Sequence, residues 1–106
     1  MGKVSKRAKA LDIPKSVKDR VWERDGEHCI ICGSCHAAPN AHFIARSQGG
    51  LGIEQNIVTL CGDCHREYDN SEKRPVQRIM IRNYLLTKYP GMEEKDNYYR
   101  KESQHE

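Results

Sequence analysis

Apolar residues cluster into a few short stretches separated by long polar ones. Val17, Val21 and Trp22 share one face at helical spacing behind Pro14, whose missing N–H suits a first helical turn, and Asp25-Gly26 follows as a stop. Val76, Ile79, Met80 and Leu86 give the same period from Pro75 to Tyr89, ahead of the stop signal Pro90-Gly91. A further helix is predicted to open at Gly62-Asp63 and run to about Asn70. Short apolar runs at 41–45 and 57–60 read as two strands. The loop between them, Arg46-Ser-Gln-Gly-Gly-Leu-Gly52, carries three glycines that favour positive φ and a compact course. Residues 1–12 lack periodicity and read as a flexible basic arm; no element is predicted beyond Met92, and 91–106 read as a polar tail. The expected class is α+β, with a core over 13–73 and a C-terminal helix over 74–90 packing on it.

Such a pattern leaves little to bury. Only 37% of the 106 residues are hydrophobic, against 31% charged, with a single Trp and a single Phe, so the chain is expected to need a staple. No apolar run approaches the roughly 18 residues of a membrane span, and the first thirty residues lack a signal-peptide core, which points to a cytoplasmic protein without a membrane partner. In that reducing setting five cysteines in paired spacings read as metal ligands rather than disulfides. Residues 1–20 hold seven bases against two acids, a segment that is either a solvated tail or a phosphate-binding arm.

Cys29-x-x-Cys32 and Cys61-x-x-Cys64, with 28 residues between them, can close one tetrahedral structural zinc site. The two-residue gap lets both sulfurs of one turn face the same ion, and thiolates suit the soft side of zinc. Cys35 repeats the spacing but is surplus to the tetrahedron, and reads as a free thiol or a small packed side chain; His28, His36 and His105 carry no assigned role. A redox dithiol is disfavoured, since there are two units and no βαβ pattern around either.

The insert between the knuckles exceeds the roughly 15–20 residues of a plain zinc ribbon. It carries His42, Gly49-Gly50 and Asn56, and His65 follows Cys64 directly. The run His42, Gly49-Gly50, Asn56, Leu60-Cys61, Cys64-His65 resembles the HNH endonucleases, in particular short zinc-bearing members encoded by phages and mobile elements, over roughly residues 14 to 70. That resemblance implies a ββα-metal (His-Me finger) core around one catalytic metal, and hydrolysis of DNA phosphodiester bonds to a 5′-phosphate product. It implies His42 as general base, a role a neutral imidazole fills near pH 7. Asn56 would hold the loop that aims His42, and His65 would ligate Mg²⁺, Mn²⁺ or another divalent ion.

One position departs from the family. Many relatives carry Asp or His just before the base, where this chain has Ala41. Asp69, four residues after His65 and on the same helix face, is taken as the second ligand. Arg46 and Arg66 are candidate phosphate contacts or plain solvated arginines, and Arg74, Arg78 and Arg82 form a four-spaced stripe that either follows a DNA backbone or is an ordinary polar face. DNA is the expected partner, and a phage packaging-motor protein is admitted by the resemblance. The competing reading is a catalytically inactive zinc module of HNH shape that binds nucleic acid or protein. A zinc nucleobase deaminase is excluded, because it requires His-x-Glu and Pro-Cys-x-x-Cys, whereas Phe43-Ile44 follow His42 and Leu60 precedes Cys61.

Overall fold

The computed structural model describes residues 5–100. Four helices and two strands follow in the order α1 (Lys6–Leu11), α2 (Lys15–Arg24), β1 (Ala37–His42), β2 (Ile57–Cys61), α3 (Gly62–Asn70) and α4 (Arg74–Lys88). Single 3₁₀ turns lie at Arg46–Gln48, Glu54–Asn56 and Glu94–Asn97. The architecture is a small α+β fold. No helix among the described residues is long and apolar enough to cross a membrane.

β1 and β2 pair antiparallel, with Ala38 opposite Leu60 and Ala41 opposite Val58. One extra residue on β1 between those pairs makes a bulge at Pro39-Asn40, a position that tolerates a residue with no N–H to give. This strand lies earlier than the 41–45 expected. Past His42 the chain leaves the backbone ladder: Phe43 N–H still donates to Asn56 O (2.7 Å), but Ile44 N–H donates to the Asn56 side-chain Oδ1 (2.9 Å). A side chain has taken over the partner's role.

Phe43, Ile44, Val58 and Leu60 bury against Tyr68 of α3 and against Ile81 and Leu85 of α4, while α2 covers Ile57 with Val17 and Val21. At roughly 1.5–3 kcal/mol for each large apolar side chain, this handful is a thin core. The Arg24–Asp25 pair ties its layers together. Asp25 is fully buried and accepts from Thr59 N–H (2.9 Å) and Tyr84 O–H (2.6 Å), while Arg24 donates to the carbonyls of Glu54 and Ile57 (both 2.8 Å). Burying charge is tolerable here because each group is paired and hydrogen-bonded.

Three expectations are corrected. From Ser5 onward the basic arm is a capped helix: Ser5 Oγ accepts from Ala8 N–H, and Leu11 is buried. The first four residues lie outside the described ones. The apolar positions that announce α4 are not those it buries, since Val76 and Ile79 are 63% and 61% exposed while Gln77, Ile81 and Leu85 face the core. Two interleaved four-spaced stripes carry the same period, and only the partner surface chooses between them. The polar tail is docked at least as far as Tyr99: Asn97 is buried, Leu51 N–H donates to Asn97 O and Tyr99 N–H to Gly49 O (both 2.8 Å).

Candidate metal centre and cleft

The bend after α2 and the β2–α3 junction bring the two knuckles together. The thiols of Cys29, Cys32, Cys61 and Cys64 all lie within 4.8 Å of one another, and Cys32 Sγ is 3.6 Å from Cys61 Sγ. Four ligands about 2.3 Å from a tetrahedral zinc would sit about 3.8 Å apart, so the donor set fits one such ion. Backbone N–H groups turn in to support the sulfurs: Ile31 and Cys32 donate to Cys29 Sγ and Cys64 to Cys61 Sγ, each at 3.4 Å. Burial opposes ionisation of Cys29, but N–H donation from Cys32, Cys61 and Ile31 outweighs it and brings the thiol down to about 7. Cys64 moves the other way, pushed up first by burial and then by the Cys61 and Cys29 sulfurs. Four thiolates at this spacing coexist only around a cation. The chain can therefore hold a metal ion here. Cys35 is exposed and outside the cluster, and His28 and His36 are exposed as well; His105 lies outside the described residues.

On another part of the surface an open cleft of about 510 Å³ is walled by His42, Ala45, Arg46, Ser47, Gln48, His65, Asp69 and Arg74. β1 delivers His42 and α3 delivers His65 and Asp69 one turn apart, with His65 Nε2 and Asp69 Oδ2 separated by 3.5 Å. These two atoms converge as a pair of cis ligands would, and they could hold a divalent ion that completes its shell with water. Ala41, by contrast, is 1% exposed and packed with Phe43 and Leu60 in the core. A carboxylate at that position would enter the core rather than the cleft.

His42 is aimed by an element that the sequence does not flag. Its Nε2 lies 2.8 Å from the backbone oxygen of Leu11, at the end of α1. A carbonyl only accepts, so Nε2 carries the hydrogen and Nδ1 keeps the basic lone pair. Burial lowers the pKa of His42, the Leu11 carbonyl partly offsets that, and Arg46 and His65 add to the lowering. Burial thereby favours the neutral imidazole over the protonated one.

The loop 44–52 is clamped on three sides. Inside, the fully buried Asn56 accepts from Ile44 N–H and donates to Ile44 O (3.2 Å) and Leu51 O (2.9 Å). Outside, Asn97 accepts from Gln55 Nε2 (2.7 Å) while its backbone holds Leu51. Toward α1, Gly52 N–H donates to Ala10 O (3.0 Å), and a Cβ on Gly52 would stand 1.9 Å from Asp12 O. Glycine is required there for close approach rather than for a positive φ, which in this loop occurs only at Gly49.

The arginines divide. Arg46 reaches the cleft but pairs with Asp12 (2.7 Å). Arg66, Arg78 and Arg82 do not line it: Arg66 pairs with Asp63, and Glu94 takes both Arg78 (2.8 Å) and Arg82 (2.9 Å). The stripe is broken by a carboxylate from the segment read as a tail. Its remaining member, Arg74, stands in the cleft wall. Spacing alone cannot separate Arg74 from its two neighbours, and a backbone carbonyl such as that of Leu11 leaves no residue-type signal at all.

No family model matches the chain, and no solved structure does. Over 59 residues the chain is 30% identical to Anaredoxin from Nostoc sp. (strain PCC 7120 / SAG 25.82 / UTEX 2576), a match spanning 55% of this chain and 78% of Anaredoxin. At that identity and coverage the chain belongs to the family of Anaredoxin.

Proposed function

We propose that this protein is a metal-dependent DNA endonuclease of HNH type, built on a ββα-metal core formed by β1, β2 and α3 and stapled by zinc at the four cysteines. The observation that carries this reading is the meeting of His42, His65 and Asp69 in one cleft, with His42 Nε2 tied to Leu11 O and Nδ1 left as the base. In the reaction, Nδ1 accepts a proton from water as the water oxygen bonds to phosphorus. The P–O3′ bond breaks, its electron pair stays on the 3′ oxygen, and that oxygen takes a proton from solvent, leaving a 3′ hydroxyl and a 5′ phosphate. A divalent ion held by His65 and Asp69 supplies positive charge for the phosphate and the departing oxygen. Asn56 keeps the loop in register so that His42 stays aimed.

The experiment is conversion of supercoiled plasmid by the zinc-loaded protein, with and without Mg²⁺ or Mn²⁺, followed by analysis of the ends. Metal-dependent nicking or cutting with 5′-phosphate ends supports the reading; intact plasmid under every metal removes it.

A second reading has one observation in its favour. Cys32 is exposed, and with Cys61 and Cys64 it lines an open depression, so an ion at the four thiols would be reachable from solvent. Four thiolates also suit iron, and a one-iron centre at this site would make the chain a redox protein. Elemental analysis of purified protein decides between zinc and iron, and a visible charge-transfer band marks the latter.

A further inference from the structure

Arg74 opens α4 and packs its guanidinium 4.3 Å from the centre of the Tyr68 ring. Tyr68 is itself buried and donates its hydroxyl to Phe43 O (2.7 Å), so the platform under the arginine is rigid. One N–H of Arg74 goes to Tyr68 O (2.7 Å), a carbonyl in the last turn of α3 that has no partner within the helix. A guanidinium has five N–H donors. No carboxylate oxygen lies within salt-bridge distance of Arg74 among the described residues. Arg46, the other arginine of the cleft, already has its charge paired with Asp12 (2.7 Å).

We infer that Arg74 is the phosphate-binding residue of the cleft, taking a non-bridging oxygen of a DNA phosphodiester beside His42 and His65. The inference rests on the nuclease reading for the identity of the ligand. The geometry favours it on general grounds. A guanidinium stacked on an aromatic ring and anchored through one nitrogen is pre-organised, so little further side-chain freedom is lost when the remaining donors meet phosphate oxygens. A side chain serving only to cap α3 would not need to stand in the wall of the cleft with no carboxylate partner among the described residues.

The test measures duplex-oligonucleotide affinity against salt in the His42→Ala background, where cutting is expected to be at least about a hundredfold slower. Arg74→Gln keeps an amide donor for Tyr68 O but removes the charge. It should make the slope of log affinity against log salt shallower by about 0.9, the share of one phosphate contact. Arg74→Lys should restore the slope, and Arg82→Ala, away from the cleft, should leave it unchanged. A role confined to capping Tyr68 O would leave the slope alone in the Gln variant, which keeps that donor. An unchanged slope in Arg74→Gln, or no measurable binding by the parent, overturns the assignment. Plasmid cleavage by the wild-type protein is read beside these. Cutting with an unchanged slope removes Arg74 and leaves the nuclease reading, whereas a reduced slope without cutting removes the nuclease reading and leaves the phosphate site.

Discussion

The backbone oxygen of Leu11 lies 2.8 Å from Nε2 of His42, so a short N-terminal helix outside the two-knuckle core sets which nitrogen of the imidazole is basic. Leu11 can hold that position only because Gly52 lets the chain at Asp12 pass close by. Gly52→Ala should therefore leave zinc bound and the fold cooperative, yet slow cleavage about a hundredfold, the usual cost of misplacing a reacting group by an ångström or so. Nitrogen NMR of the imidazole checks the cause independently, since His42 should change from an Nε2–H tautomer to a mixture. A wild-type rate with a changed tautomer would separate Leu11 from catalysis.

The pH dependence follows from the sign of the shift at His42. Burial lowers its pKa below 6.5, with the Leu11 carbonyl and Asp12 opposing and Arg46 and His65 assisting. As pH falls, the unfolded chain takes up this proton before the folded one does. The contribution to stability is complete above pH 6.5 and is lost as pH drops through that value toward the folded pKa. Cleavage should keep its neutral base in the same window, so the acid limb of the rate profile should lie under pH 6.5. A limb centred above 6.5 would contradict the burial assigned to the ring.

With so thin a core, the four-cysteine ion is expected to carry much of the folding energy, on the order of 10 kcal/mol for a structural zinc. Cys29→Ser or Cys64→Ser should yield protein without a cooperative thermal transition. Cys35→Ser, outside the cluster, should melt like wild type. A folded, metal-free protein recovered after chelation would remove the staple.

The two proposed cleft ligands, His65 and Asp69, should differ in how they fail. Asp69→Ala is expected to lose activity that higher Mn²⁺ partly restores, whereas His65→Ala should be harder to rescue because imidazole binds transition metals well. A metal titration of both variants checks this, and an Asp69→Ala curve that overlays wild type would place the second ligand elsewhere.

What the sequence made legible were features announced by residue type and spacing. The pairs Cys29/Cys32 and Cys61/Cys64 marked the metal cluster, α3 ran from Gly62 to Asn70 as read, and His42, His65 and Asp69 do share one cleft. The parts that escaped depend on partners distant in the chain. Glu94 decides that Arg78 and Arg82 are occupied while Arg74 is not, and Asn97 is buried only because it meets Gln55 and Leu51. The Leu11 oxygen is a backbone atom that any residue would supply. Ala41 is instructive in a different way: the resemblance marks it as a missing ligand, yet its side chain packs in the core, so Ala41→Asp should destabilise the fold rather than tighten metal binding.

If His42 removes the proton from the attacking water, its loss should show in single-turnover cleavage at saturating divalent metal. With duplex affinity measured alongside, His42→Ala should bind DNA as wild type does and cut it at least about a hundredfold more slowly, the lower range for a lost general base. Cleavage by His42→Ala at the wild-type rate, with equal affinity, would contradict the account.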